Sequence, residues 1–311
     1  MRKPRALEPG DWVAVVAPAS PLADATAQEE YQAGFNELSA LGFRVYVDSR
    51  LFERSSYTAG SPTLRADVLL TAWQDPDVKA LVAARGGYGS VQLLPHLSPD
   101  AFGDAAKAFI GYSDNTSLLI YLTLTCGMVT FHGPMIERRF ARGPVAYDRD
   151  TFERCLMRAE PVGEIRHAQL EVVRGGEAEG MLIGGTMTQL AGSLGTPFAF
   201  QPPQGAVLFF DEVAERPYRV DRLFTHLAQA GVIEKASALV FGEMPRCDEA
   251  GTGPRIRDVI RELTANFPGP VLFGLPSGHT DGATLTLPFG VRARVVTSGT
   301  PALVIEESAV I

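Results

Sequence analysis

At roughly 150 residues per domain, 311 residues make two domains with sizeable cores. A composition of 46% hydrophobic, 21% charged and 9% aromatic residues excludes large-scale disorder, a fibre or a membrane-embedded chain. Twenty-eight Lys and Arg against 36 Asp and Glu give a net charge of -8 with the basic residues scattered singly, so no nucleic-acid partner is expected.

Arg2, Lys3 and Arg5 followed by Ala17-Pro18-Ala19 echo a secretion signal, but Glu8, Pro9 and Asp11 interrupt the apolar stretch it would need. Residues 12–17 read as a strand, 24–41 as a helix ended by Gly42, and 43–47 as the next strand. Residues 64–73 read as a helix and 78–83 as a strand running into Arg85-Gly86-Gly87-Tyr88-Gly89. After a short helix come strand 108–111, helix 115–126 and strand 128–132. This alternation predicts an α/β domain with a doubly wound parallel sheet. In such sheets ligands gather at the carboxyl ends of the strands, so loops 18–20, 85–90 and 112–115 should meet in one cleft.

Residues 136–179, richer in Arg and Glu and bracketed by glycines, read as a helix plus connector holding the domain boundary. The division is therefore 1–140, a connector 141–179, and 180–311. The last segment mixes strands (206–210, 238–241, 271–273) with helices (220–230, 255–266) and ends in β-rich sequence. It predicts a smaller α+β, partly barrel-like domain. The longest apolar stretch, 118–131, is interrupted and falls short of the ~20 residues a membrane span needs, so no membrane partner is expected. Cys126, Cys155 and Cys247 are odd in number and widely spaced, which fits a reducing cytoplasm.

Ser113 in Gly111-Tyr112-Ser113-Asp114-Asn115 falls between a predicted strand and a predicted helix, the place of a nucleophile elbow. Asn115 replaces the usual second glycine, and a plain helix N-cap explains the same residues. Of five histidines, His96, His167 and His226 fall where solvated or packed roles suffice, whereas His132 and His279 each end near the expected cleft. No two histidines stand at metal-ligand spacing, so no metal is expected. Asp211 and Glu212 close an apolar strand, and the order serine, acid, histidine is that of triads on α/β sheets. The turn at Gly86 and Gly87 matches no complete phosphate-binding pattern and suits donation of backbone N–H groups to an oxyanion. Cys126 reads as a buried, inert thiol.

Together with Leu194-Gly195-Thr196-Pro197, Pro217-Tyr218-Arg219-Val220-Asp221-Arg222 and Gly278-His279, these motifs resemble the LD-carboxypeptidase family over residues 12–294. That family joins muramoyl-tetrapeptide carboxypeptidases to microcin C immunity peptidases. The resemblance implies a flavodoxin-like N-terminal domain, a homodimer, and a serine peptidase with Ser113 as nucleophile and His279 as base. It implies the Asp114 N–H and one from Gly86 or Gly87 as oxyanion donors, and water as the only co-reactant, with no cofactor. The implied substrate is the small peptide murein tetrapeptide in the cytoplasm, cleaved at the LD-amide bond to its terminal D-alanine. Arg85 is the nearest cation in sequence for the D-alanine carboxylate, although a structural role explains it equally. The family's glutamate falls in register on Asp211, with Glu212 one residue later; position favours Asp211 and reach favours Glu212. Two other readings stay open. A microcin-type enzyme cleaving aminoacyl adenylate analogues would want an aromatic to stack on adenine, and residues 134–181 offer only Phe140, Tyr147 and Phe152. The third reading is an inactive ligand-binding homologue.

Overall fold

The computed structural model describes residues 1–21 and 25–311; Asp24, expected to open the first helix, lies outside them. In the first half, strands β1 (Trp12–Val16), β2 (Arg44–Val47), β3 (Val78–Ala83), β4 (Ala108–Gly111) and β5 (Thr130–His132) alternate with helices α1 (Ala25–Ala40), α2 (Pro62–Gln74) and α3 (Thr116–Ile120). β3 and β4 are apolar and buried almost throughout, as strands covered on both faces must be. α2 begins where Ser61 Oγ accepts the Leu64 N–H and Pro62 supplies a helical φ. The helix expected over 115–126 is three pieces: a 3-10 turn at Ser113–Asn115, α3, and a π-helical turn at Tyr121–Thr125.

The second half contains α4 (Arg149–Leu156), β6 (Pro161–Ile165), β7 (Glu171–Arg174), β8 (Glu177–Thr186), α5 (Met187–Gly192) and β9 (Ala206–Asp211). It continues through α6 (Pro217–Gln229), β10 (Ala236–Gly242), α7 (Ile256–Leu263), β11 (Val271–Leu275), β12 (Leu287–Phe289), β13 (Arg292–Val296) and β14 (Ala302–Ser308).

Strands β2-β1-β3-β4-β5 are parallel in the flavodoxin-like order, and β12 adds antiparallel to β5 at the edge. The second sheet runs β6-β14-β13-β8-β9-β10-β11-β7, with β8 to β11 parallel and the outer strands antiparallel. Two expectations change here. Residues 141–179, expected as a connector after a helix, hold α4 and also supply β6 and β7, whose short mixed sequences carry no strong period. The expected partly barrel-like form is also absent among the described residues. β8 pairs with β13 through 177–181 and with β9 through 182–186, so meander and parallel layer join end to end and leave β6 and β7 as open edges. α3 packs on β4 and β5 of one sheet and on β8 of the other, bringing the strand ends together. No helix among the described residues is long and apolar enough to cross a membrane.

Candidate active site

Ser113 follows β4 with φ +63°, a left-handed conformation that a residue with a Cβ rarely adopts. The glycine loop approaches this turn so closely that a Cβ on Gly86 would lie 2.9 Å from Ser113 Cβ and 3.0 Å from its Oγ. Asn115 is not the strained residue. It sits in helical backbone, and its Nδ2 donates to the Arg85 carbonyl at 3.1 Å, clamping the glycine loop to the elbow. Ser20 Oγ accepts the Tyr88 N–H at 3.1 Å, so the three expected loops do converge. The N–H groups of Gly86 and Gly87 meet no acceptor among the described residues, which leaves them free for an anion beside Ser113. The Asp114 side chain takes a separate task, accepting from Ser90 N–H at 2.8 Å and Gln189 Nε2 at 3.2 Å. Its burial raises the carboxyl above the usual range.

His279 follows β11, and its Nε2 lies 3.1 Å from Ser113 Oγ. Its Nδ1 lies 2.7 Å from Oδ2 of Asp211, the wholly buried last residue of β9. Asp211 also receives the His279 backbone N–H at 3.2 Å. Gly278 makes this approach feasible: its φ is +75°, and a Cβ there would fall 2.5 Å from Asp211 Oδ2. Burial alone would push the imidazole down, but the Asp211 charge and hydrogen bond, with Glu212 behind them, hold His279 above its ordinary value. Because Asp211 Oδ2 accepts from Nδ1–H, Nε2 is left as an acceptor for the serine hydroxyl.

Glu212 points the other way. Its Oε2 accepts from Thr188 N–H at 2.9 Å and Thr188 Oγ1 at 2.7 Å, fastening α5 to the end of β9. Burial raises its carboxyl. His132 is fully buried against Phe209 and Phe289, with Nδ1 3.1 Å from Ser277 Oγ, and burial lowers it to about 4. It has no hydrogen bond to Ser113. His96, His167 and His226 are exposed. Arg85 lies 3.2 Å from Glu137 Oε2 and donates to the Pro21 carbonyl at 3.3 Å, the structural role. Cys126 is buried and raised to about 11, an inert thiol.

Arg139 was not legible as a site residue, because a charge run such as Glu137-Arg138-Arg139 usually marks a solvated face. It is buried, and its guanidinium donates to the carbonyls of Ala146 (3.1 Å), Gly282 (2.9 Å), Gly278 (2.8 Å) and Thr280 (3.0 Å). Its Nε faces Tyr112 Oη at 3.4 Å. The loop carrying His279 is thus tied to one side chain.

A serine on a strained strand-to-helix turn, hydrogen-bonded to a histidine that a buried carboxylate orients, has the geometry of a hydrolase that forms an acyl-enzyme. The LD-carboxypeptidase N-terminal domain matches residues 13–133 and the LD-carboxypeptidase C-terminal domain matches residues 179–295. A carboxypeptidase-named protein of Streptomyces coelicolor is 34% identical over 94% of this chain and 93% of its own. The murein tetrapeptide carboxypeptidase of Pseudomonas aeruginosa is 30% identical over 86% of this chain and 87% of its own. The Microcin C7 self-immunity protein MccF of Escherichia coli, solved in complex with aspartyl sulfamoyl adenosine, superposes with a TM-score of 0.92 at 26% identity over the whole of both chains. The chain belongs to the LD-carboxypeptidase family and is a peptidase of that family.

Proposed function

We propose that this protein is a cytoplasmic serine carboxypeptidase that releases the terminal D-alanine from murein tetrapeptide by hydrolysing the LD-amide bond. The observation that carries the reading is the unbroken hydrogen-bond chain Ser113 Oγ, His279 Nε2, His279 Nδ1, Asp211 Oδ2. His279 takes the Ser113 proton as Oγ attacks the amide carbonyl, and the N–H groups of Asp114 and of Gly86 or Gly87 hold the resulting oxyanion. The imidazolium, steadied by Asp211, returns its proton to the departing D-alanine nitrogen. Water, deprotonated by the same imidazole, then cleaves the acyl-serine, so the reaction balances with water alone. The resemblance to the family supports a homodimer as the working form.

A microcin-type substrate remains the second reading. Phe140, Tyr147 and Phe152 are buried against one another and cannot stack on a base, which weighs against it. The exposed Tyr57–Tyr88 pair beside the glycine loop, with centroids 5.4 Å apart, favours keeping it in the test. Purified protein is incubated with murein tetrapeptide and with an aminoacyl sulfamoyl adenosine, and products are followed by mass spectrometry. Loss of one alanine mass from the tetrapeptide alone is the expected result. Cleavage of the nucleoside compound alone overturns the murein reading, and cleavage of neither overturns the enzyme.

A further inference from the structure

We propose that the arginine-lined cavity beside His279 is an anion subsite that receives a carboxylate of the substrate peptide, with Arg138, Arg142 and Arg246 as its ligands. The proposal rests on the peptidase reading above. The cavity measures about 350 Å³ and is lined by these three arginines together with Tyr112 and His279. Among the described residues Arg138 and Arg142 make no ion pair, and Arg246 makes only a 3.5 Å contact with the exposed Asp281. Arg139 adds a fourth positive charge at the same wall, and its donors meet carbonyls and a phenol, not a carboxylate. Arg85, by contrast, is neutralised by Glu137.

The cavity wall carries four guanidinium groups and one carboxylate, Asp281, and Arg138, Arg142 and Arg246 are exposed at it, so an anion that enters meets an excess of positive charge in a chain whose net charge is -8. The backbone adds an independent sign. Arg138 (φ +63°) and Arg246 (φ +59°) both hold left-handed conformations, as does Ser113. Strain of this kind persists where the surroundings over-determine the backbone; Ser56, Ala214 and Met244 share it, and at Arg138 and Arg246 it falls on two residues that line the cavity. The planar fork of arginine matches a carboxylate with two parallel N–H···O bonds, so a peptide carboxylate is the ligand class. Two carboxylates of the proposed substrate could supply it: the C-terminal group of the leaving residue, or a side-chain carboxylate on the residue before the cleaved bond.

The test compares wild type with Arg138→Gln, Arg142→Gln and Arg246→Gln on four peptides: C-terminal acid or amide, each with diaminopimelate or lysine before the bond. The same peptides are titrated calorimetrically into each arginine variant carrying Ser113→Ala, so that binding is read without turnover. Loss of one charge-assisted pair should raise KM for the preferred peptide by about tenfold or more, with kcat changed far less. Collapse of the acid-over-amide ratio assigns the subsite to the C-terminal carboxylate, and collapse of the diaminopimelate-over-lysine ratio assigns it to the side chain. If both ratios, in turnover and in binding, stay as in wild type, the subsite is refuted while the peptidase stands. If wild type cleaves none of the four, the peptidase reading fails, and the calorimetric ratios alone decide the subsite.

Discussion

Asp211 holds His279 by two of its donors at once: Oδ2 takes the ring Nδ1–H at 2.7 Å, and the carboxylate also takes the backbone N–H of the same residue at 3.2 Å. An aspartate at the end of β9 therefore reaches the imidazole, and Glu212, on the opposite side of the strand end, is left to anchor Thr188.

Asp211→Asn should lower kcat by about 10⁴, since the amide favours the wrong imidazole tautomer. Glu212→Gln should reduce stability more than turnover. Steady-state kinetics beside thermal melts decide the matter: a dead Glu212→Gln with a near-normal Asp211→Asn reverses the assignment.

The same contact sets the pH profile. His279 must be neutral to accept the serine proton, so kcat/KM should rise with pH through a pKa above 6.5, because Asp211 holds the imidazole up. In Asp211→Asn burial is left as the dominant influence, and the limb should move to lower pH as the maximum falls. A limb that moves upward, or stays in place, contradicts this assignment of the base.

Ser113→Ala should abolish turnover and leave the fold intact, and Ser113→Gly should be equally inactive but melt at least as high. Glycine accepts φ +63° without the penalty, of order 1 to 3 kcal/mol, that a side chain incurs there. Serine-directed reagents should label Ser113 and leave Cys126 untouched, checked by peptide mapping. Labelling at Cys126 would revive a thiol mechanism.

The parallel layer and the elbow position of Ser113 were legible because both are local: apolar strands β1, β3 and β4 read directly, and Ser113 stands at a strand-to-helix junction. What the sequence did not carry is long-range. β12 belongs to the first sheet only through its pairing with β5, 155 residues away at Leu287 and His132, and three residues show no period of their own. The choice between Asp211 and Glu212 turned on where a strand ends and how near a distant loop comes. Arg139 was hidden for a similar reason, since its value lies in carbonyls more than 130 residues further on, at Gly278, Thr280 and Gly282.

Arg139→Met should free those carbonyls and destabilise the protein by about 3 kcal/mol, the scale of buried hydrogen bonds to a charged group. It should also lower kcat more than it raises KM, because the loop places the base. The Arg139 charge depresses His279, so its removal should move the rising limb of the pH profile upward. Arg139→Lys should restore the limb but only part of the stability. A variant that melts lower with an unmoved limb confines Arg139 to a structural role.

His132 makes acid the weak side of this fold. Its buried ring titrates near 4 against 6.5 when unfolded, so the folded state resists protonation. The stability this contributes is present above pH 6.5 and is lost as pH falls from there toward 4. At 1.36 kcal/mol per unit the loss reaches ~3 kcal/mol. His132→Gln removes the titration, so chemical denaturation across this window should show a flatter pH dependence than wild type. Turnover should be reduced but not abolished, since the ring touches Ser277 and not Ser113. If the slope between pH 6.5 and 4 is the same in both proteins, another group carries the acid sensitivity and the neutral, buried state assigned to His132 is wrong.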